Sequence, residues 1–255
     1  EMCIRDRDIT GQLQLKKKQE ELMQFLKKSN DELNDYAHIV SHDLKSPLRS
    51  IDALISWIEE DYGDVLVGSG EENLALIKGT LQKMEDLIKG VLNYSGSAIG
   101  DDEKEEKVNL NQVVVDLRKT ILKPKGFQIN INKKLPTVRG DLIKMQQVFQ
   151  NFLSNAIAYN DKKQGVVEID YEENDDLYTF SIKDNGIGIK KKHFDSVFKM
   201  FNSLSQDESS TGIGLSIVKR VVEFYGGRIW LESEYGVGTT FYFTFKKQHP
   251  QKQKG

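Results

Sequence analysis

Leu177-Tyr178-Thr179-Phe180-Ser181-Ile182-Lys183 runs straight into Asp184-Asn185-Gly186-Ile187-Gly188, a strand-like segment followed by a glycine turn. Upstream, Val166 to Tyr171 also alternates, and Asn174-Asp175-Asp176 is a turn signal between the two segments, which predicts an antiparallel hairpin. Asp141 to Tyr159 before it has a strong helical period. Downstream, Thr211-Gly212-Ile213-Gly214-Leu215 opens a helix over Gly212–Tyr225, and Arg228–Glu232 with Thr239–Phe245 makes a last hairpin. With a helix over Val108–Leu122 and a strand over Phe127–Asn132, this predicts an α/β sandwich: a mixed sheet with helices on one face.

The N-terminal third has a different texture. Leu15, Leu22 and Tyr36 fall in one heptad column, and Leu26, Leu33 and Val40 in the other. The stripe continues through Leu44, Leu48, Ile51, Ile55 and Ile58, then breaks at Asp61-Tyr62-Gly63 and Gly68-Ser69-Gly70. A second helix over Glu71–Tyr94 presents Leu74, Ile77, Leu81, Met84, Ile88 and Val91. Two helices cannot bury both stripes, so a homodimeric four-helix bundle is expected. The boundaries read as a leader at 1–12, a coiled-coil entry and hairpin at 13–97, a linker at 98–106, an α/β domain at 107–246 and a tail at 247–255. Residues 1–7 fit no periodic pattern and read as an appended sequence.

The 255 residues carry a net charge of −3, which argues against a protein that coats nucleic acid. Lys16-Lys17-Lys18 and Lys190-Lys191-Lys192 read as isolated solvated faces. The single cysteine, Cys3, cannot form an intrachain disulfide, which suits a reducing, cytoplasmic setting. No apolar run approaches the ~18 residues of a membrane span, although a parent protein anchored elsewhere is compatible with this sequence.

His42 lies in Ser41-His42-Asp43-Leu44-Lys45-Ser46-Pro47-Leu48, about 200° around the helix from both Val40 and Leu44, and so away from the apolar stripe. One reading is a surface histidine. The other is a nucleophile: an exposed imidazole attacks an electrophile while Asp43 orients its ring. Pro47 removes the amide partner of the Asp43 carbonyl and is expected to bend the helix one turn on. His38 and His42 are four residues apart, but the His-Glu-x-x-His glutamate and a third metal ligand are missing.

Asn151 and Asn155 project from one helix face at i, i+4, either as helix-end asparagines or as amide-oxygen ligands for Mg²⁺. Asp184 with Gly186 and Gly188 is either a plain turn or a base-recognition element. In the second case its carboxylate accepts from an exocyclic amine and its glycines admit a flat base. Gly212 and Gly214 at a helix start favour phosphate, though the dinucleotide fingerprint and the P-loop are both missing. Ile189–Ser210 reads as a lid. Phe194, Phe198 and Phe201 either pin it to the core or are ordinary packing.

These stretches together resemble the sensor histidine kinases of two-component systems, over Leu13 to Lys246. Ser41–Leu48 looks like the phosphoacceptor box, Gln147–Tyr159 the N box, Asp184–Ile189 and Thr211–Leu215 the two glycine boxes, and Phe194–Phe201 the phenylalanine box. Gly236–Phe241 looks like the closing glycine-threonine segment. The resemblance implies a dimeric phosphotransfer hairpin, then a Bergerat-type α/β sandwich that binds ATP, the fold of gyrase, Hsp90 and MutL. It implies that His42 is phosphorylated, Asn155 binds Mg²⁺, Asp184 contacts adenine, Tyr159 flanks the nucleotide and Thr240 supports Asp184. The partner it implies is a response regulator receiver domain acting in trans.

Asp8-Ile9-Thr10 resembles the close of a PAS sensor domain. Three positions depart from the family pattern: Ala158 for a lysine, Ser210 for a glycine, and Ser46 where the phosphatase motif has threonine or asparagine. Two other functions are weighed beside the kinase: a nucleotide-binding scaffold without catalysis, and a client-clamping ATPase. Retention of His42, Asn155 and Asp184 together argues against the first, and the hairpin that carries His42 against the second.

Overall fold

A computed structural model describes residues 2–63, 65–96, 106–202 and 211–247. The chain divides into two units, Glu1–Ser95 and Gly96–Gly255.

The first unit is a helical hairpin of α1 (Met2–Tyr62) and α2 (Ser69–Gly96). Ser41, Leu48 and Ile55 are buried along α1 at seven-residue intervals. Leu81 and Ile88 on α2 pack with Leu48 and Ile55, flanked by Leu74 and Leu92. Leu48 and Ile55 belong to the apolar stripe read from the sequence, whereas Ser41 does not and joins the seam as a small buried residue. A Lys78–Glu59 ion pair also links the two helices. The seam uses only part of the stripe: Leu44, Ile51, Ile77 and Met84 remain 43–45% exposed. α1 starts at Met2 and runs through both the leader and Pro47. Residues 2–7 therefore continue the helix despite their missing period, because a helix needs no apolar face to extend from an established one.

The second unit opens with β1 (Glu106–Asn109), α3 (Leu110–Thr120), β2 (Gln128–Ile131) and β3 (Thr137–Gly140). It continues with α4 (Leu142–Ala158), β4 (Val166–Glu173), β5 (Leu177–Asp184), α5 (Gly214–Phe224), β6 (Ile229–Glu234) and β7 (Gly238–Lys246). Five strands form one mixed sheet in the order β2-β4-β5-β7-β6, with β2 parallel to β4 and the remaining pairs antiparallel. The sandwich and its two hairpins are as the alternation predicts.

The N-terminal edge differs. Val108 belongs to β1, paired with β3 in a separate two-stranded ribbon, and the helix begins at Leu110 behind an Asn109 N-cap. β1 also takes Glu106 from the expected linker.

Alternation along the strands builds the core. Ile131, Ile169, Ile182, Phe241 and Leu231 are register partners across all five strands, and α4 lays Phe149 and Phe152 over this face. Phe180 and Phe243 stack at 5.0 Å beneath them. Asp141 caps α4 by accepting from Ile143 N at 2.7 Å and Lys144 N at 3.2 Å.

Candidate active site

One row beyond the Ile-Ile-Ile-Phe-Leu row, the same sheet face changes character. The register partners there are Ile129, Val167, Asp184, Thr239 and Ser233. Three neighbouring strands thus end in a polar row at the edge of an aromatic core. Asp184 Oδ1 accepts from Gly186 N at 2.8 Å and from Thr239 N at 3.3 Å. Both donors share one oxygen, and among the described residues the other accepts no hydrogen bond. Burial pushes the Asp184 carboxyl above its ordinary pKa, against the lowering by the Gly186 and Thr239 amides.

The turn after Asp184 holds the end of α4. Ile187 N donates to the Tyr159 carbonyl at 3.0 Å, and Gly186 lies directly against that carbonyl. Gly188 has φ +69°, and a Cβ there would lie 2.1 Å from the Glu234 carbonyl oxygen, so only glycine fits. Asn185 anchors the preceding loop: its Oδ1 accepts from Asn160 Nδ2 and Val166 N, both at 2.8 Å, and its Nδ2 donates to the Gln164 carbonyl at 3.0 Å.

On α4, Asn151 and Asn155 are half-buried one turn apart. Asn151 Oδ1 sits beside Gly214, the first residue of α5. Among the described residues no side chain caps that helix at Ile213. Gly212, at φ +65°, lets Thr211–Gly212 pass against the backbone of Phe201 and Asn202. Phe198 meets Phe241 edge-on at 6.4 Å, whereas Phe201 is 60% exposed at φ 60°. Phe198 therefore packs on the core and Phe201 does not. The later part of the expected lid, 203–210, lies outside the described residues.

In the helical unit, His42 and Asp43 are exposed by 85% and 72%, and His42 Nδ1 lies 3.3 Å from Asp43 Oδ1. A carboxylate only accepts, so Nδ1 carries the proton and Nε2 keeps its lone pair in the neutral ring. Ser46 is exposed one turn on, with its carbonyl accepting from Ser50 Oγ at 3.2 Å.

A family model described as histidine kinase-, DNA gyrase B- and HSP90-like ATPase matches residues 140–249. Cyanobacterial phytochrome B of Nostoc sp. is 41% identical over 239 residues, covering 90% of this chain and 32% of that protein. Sensor protein kinase WalK of Staphylococcus aureus is 31% identical over 227 residues, covering 84% of this chain and 53% of that protein. The chain belongs to the sensor histidine kinases. Methanogenesis regulatory histidine kinase FilI of Methanothrix harundinacea is 30% identical over 94% of this chain and 28% of its own length. The chain thus spans about a third of the phytochrome and about half of WalK. Full-length ShkA, solved with AMPPNP, shares the fold at a TM-score of 0.65 and 22% identity, over 84% of this chain and 46% of that one.

Within the chain, the residues that the sequence singles out for a nucleotide, Asn151, Tyr159, Asp184, Gly186, Gly188, Gly212 and Gly214, lie in the second unit and make the contacts above. Thr211 and Leu215 flank the α5 start, both half-buried. Thr240 requires correction. It pairs with Lys183 and Glu232 and so faces away from Asp184, while Thr239, one residue earlier, is buried and supplies the amide. Strand alternation held the signal: with Phe241, Phe243 and Phe245 facing inward, the inward threonine is Thr239. Asn160 and Ser233 belong to none of the motifs, and Asn185, inside the first glycine box, was given no role of its own; what they do comes only from long-range pairing.

The raised Asp184 pKa has a stability consequence. A carboxyl whose folded pKa is raised contributes stability below its unfolded pKa and loses it as pH rises through the folded value. At neutral pH the ionised group therefore costs stability. Asp184→Asn in the nucleotide-free protein is expected to melt higher than wild type at pH 7, with the gap closing towards pH 4. An equal or lower melting temperature at pH 7 would contradict the burial argument.

Proposed function

We propose that the chain is the catalytic part of an ATP-dependent protein-histidine kinase that phosphorylates itself on His42 and passes the phosphoryl group to an aspartate of a response regulator in trans. The desolvated Asp184 carboxylate, held by two amides on one oxygen at the end of the sheet, is the observation that carries the nucleotide half of this reading. Its other oxygen accepts from the exocyclic amine of adenine, with Tyr159, Gly186, Gly188 and Phe201 around the base and ribose. Thr211, Gly212, Gly214, Leu215 and the start of α5, without a side-chain cap among the described residues, take the phosphates.

The glycine turn beside Asp184 and the start of α5, which has no side-chain cap among the described residues, fit an ATP ligand. Asn155, with Asn151 one turn before it, would hold Mg²⁺ through its amide oxygen. That ion would neutralise phosphate charge.

His42 Nε2 attacks the γ-phosphorus. The N–P bond forms, the bond to the bridging oxygen breaks, and ADP leaves with that electron pair. Asp43 accepts the ring proton at Nδ1, so charge on the imidazole is relieved where the hydrogen bond already lies. Ser46, exposed one turn beyond His42, is placed to hold a water for dephosphorylating the regulator.

The exposed Leu44, Ile51, Ile77 and Met84 pair with the same residues of a second copy in a four-helix bundle. Residues 8–10 close a sensor domain of PAS type. Transfer from ATP to a regulator places this segment in the cytoplasm, and among the described residues no helix is long and apolar enough to cross a membrane.

Titration with a fluorescent ATP analogue tests the pocket. Asn155→Ala is expected to lose the Mg²⁺-dependent part of the affinity, and wild-type Mg²⁺ dependence in this variant would overturn the assignment of Asn155.

A further inference from the structure

The donors that hold Asp184 lead to a side chain outside the motifs of the nucleotide site. Ser233 stands at the end of the polar row, on the edge strand β6, opposite Thr239. Its Oγ lies 2.7 Å from Ile189 N, 2.8 Å from the Gly238 carbonyl oxygen and 2.9 Å from Thr239 Oγ1. A hydroxyl has one proton and two lone pairs. The Gly238 carbonyl can only accept, so it takes the proton. The Ile189 amide and the Thr239 hydroxyl then donate into the two lone pairs, which uses the full capacity of Ser233 Oγ and fixes its rotor.

Both arms that support Asp184 meet at this hydroxyl. One arm is β7, which presents the Thr239 amide to Asp184 Oδ1 at 3.3 Å. The other is the glycine turn, which presents the Gly186 amide to the same oxygen at 2.8 Å and leaves the site through Ile189. Next to Ser233, the Glu234 carbonyl lies in the space a Cβ of Gly188 would need, so this strand end and the turn are in direct contact. Removing the Ser233 hydroxyl leaves the Ile189 amide and the Gly238 carbonyl without their partner, one on each arm.

We propose that Ser233 is a positioning residue for base recognition: without touching the nucleotide, its hydroxyl locks the two arms that orient the Asp184 carboxylate. It thereby sets the preference for a purine with an exocyclic amine over one with a carbonyl at that position. This rests on the reading of Asp184 as the base acceptor.

The test measures the affinities of the full chain for ATP and GTP by competition against a fluorescent adenine nucleotide, together with melting temperatures, for wild type and single variants. Ser233→Ala and Ser233→Cys are expected to lower the ATP-to-GTP affinity ratio by about tenfold, the scale of one hydrogen bond to a charged group. GTP affinity should change little, and Ser233→Thr, which retains the hydroxyl, should keep the wild-type ratio. A purely structural serine would weaken both nucleotides equally or lower only the melting temperature, and a wild-type ratio in both Ala and Cys variants would overturn the proposal.

Asp184→Asn separates the two layers. If it loses the preference while Ser233→Ala and Ser233→Cys retain it, Asp184 stands and Ser233 falls. If Asp184→Asn also retains the preference, the base reading fails and the role of Ser233 fails with it.

Discussion

Replacing His42 by glutamine is expected to abolish phosphoryl labelling from γ-labelled ATP while leaving nucleotide affinity nearly unchanged. The imidazole is the nucleophile and glutamine has none, so the loss is complete rather than fractional. Affinity is spared because every group assigned to the nucleotide lies in the unit Gly96–Gly255, and His42 lies in the other. Removing Asp43 acts more weakly. Its 3.3 Å contact with Nδ1 orients the ring and takes up charge, but both groups are well exposed and water substitutes in part. Labelling of the His42→Gln variant at the wild-type level would mean that another residue is the acceptor.

The second large effect is in the hairpin, where the two halves of the apolar stripe should answer differently to charge. Leu48 and Leu81 are 5% and 8% exposed within one protomer, so glutamate at either position breaks the hairpin itself. Burying a charge there adds to the loss of packing, which alone is about 2–5 kcal/mol for a core leucine. Ile51 and Ile77 are 43–44% exposed in the protomer, and the proposed bundle covers them only on dimerisation. Ile51→Glu is therefore expected to give a monomer that retains its helical circular dichroism, while Leu48→Glu loses helix as well as dimer. Light scattering and circular dichroism on the same samples separate the two outcomes. A wild-type chain that is monomeric at micromolar concentration would contradict the bundle.

Elements with a strong period were legible from residues alone. α4 follows from its helical period, the β4–β5 hairpin from alternation and the turn signal Asn174-Asp175-Asp176, and the final hairpin from alternation. Leu48 and Ile55 were legible as members of the apolar stripe, but Ser41 was not, nor was which half of the stripe closes the hairpin. That choice depends on how α1 and α2 face one another. The β1–β3 ribbon was hidden because four-residue strands such as Glu-Lys-Val-Asn contain too few residues to show a period.

The chemical site divides the same way. Asp184, Gly186 and Gly188 are contiguous, so local spacing carries them. Thr239 and Ser233 reach Asp184 only through the pairing of β5 with β7 and of β7 with β6, a register that no local window contains. The one-residue error at Thr240 shows the cost of reading a motif without its strand parity: a single step along β7 moves a side chain to the opposite face of the sheet.

Incubating the wild-type chain with γ-labelled ATP and Mg²⁺, then dividing the labelled protein between acid and alkali, tests the central claim most directly. A phosphoramidate on His42 predicts label that is lost in acid and retained in alkali. Label that survives acid, as a hydroxyl ester does, or protein that takes up no label while still binding ATP, would contradict it.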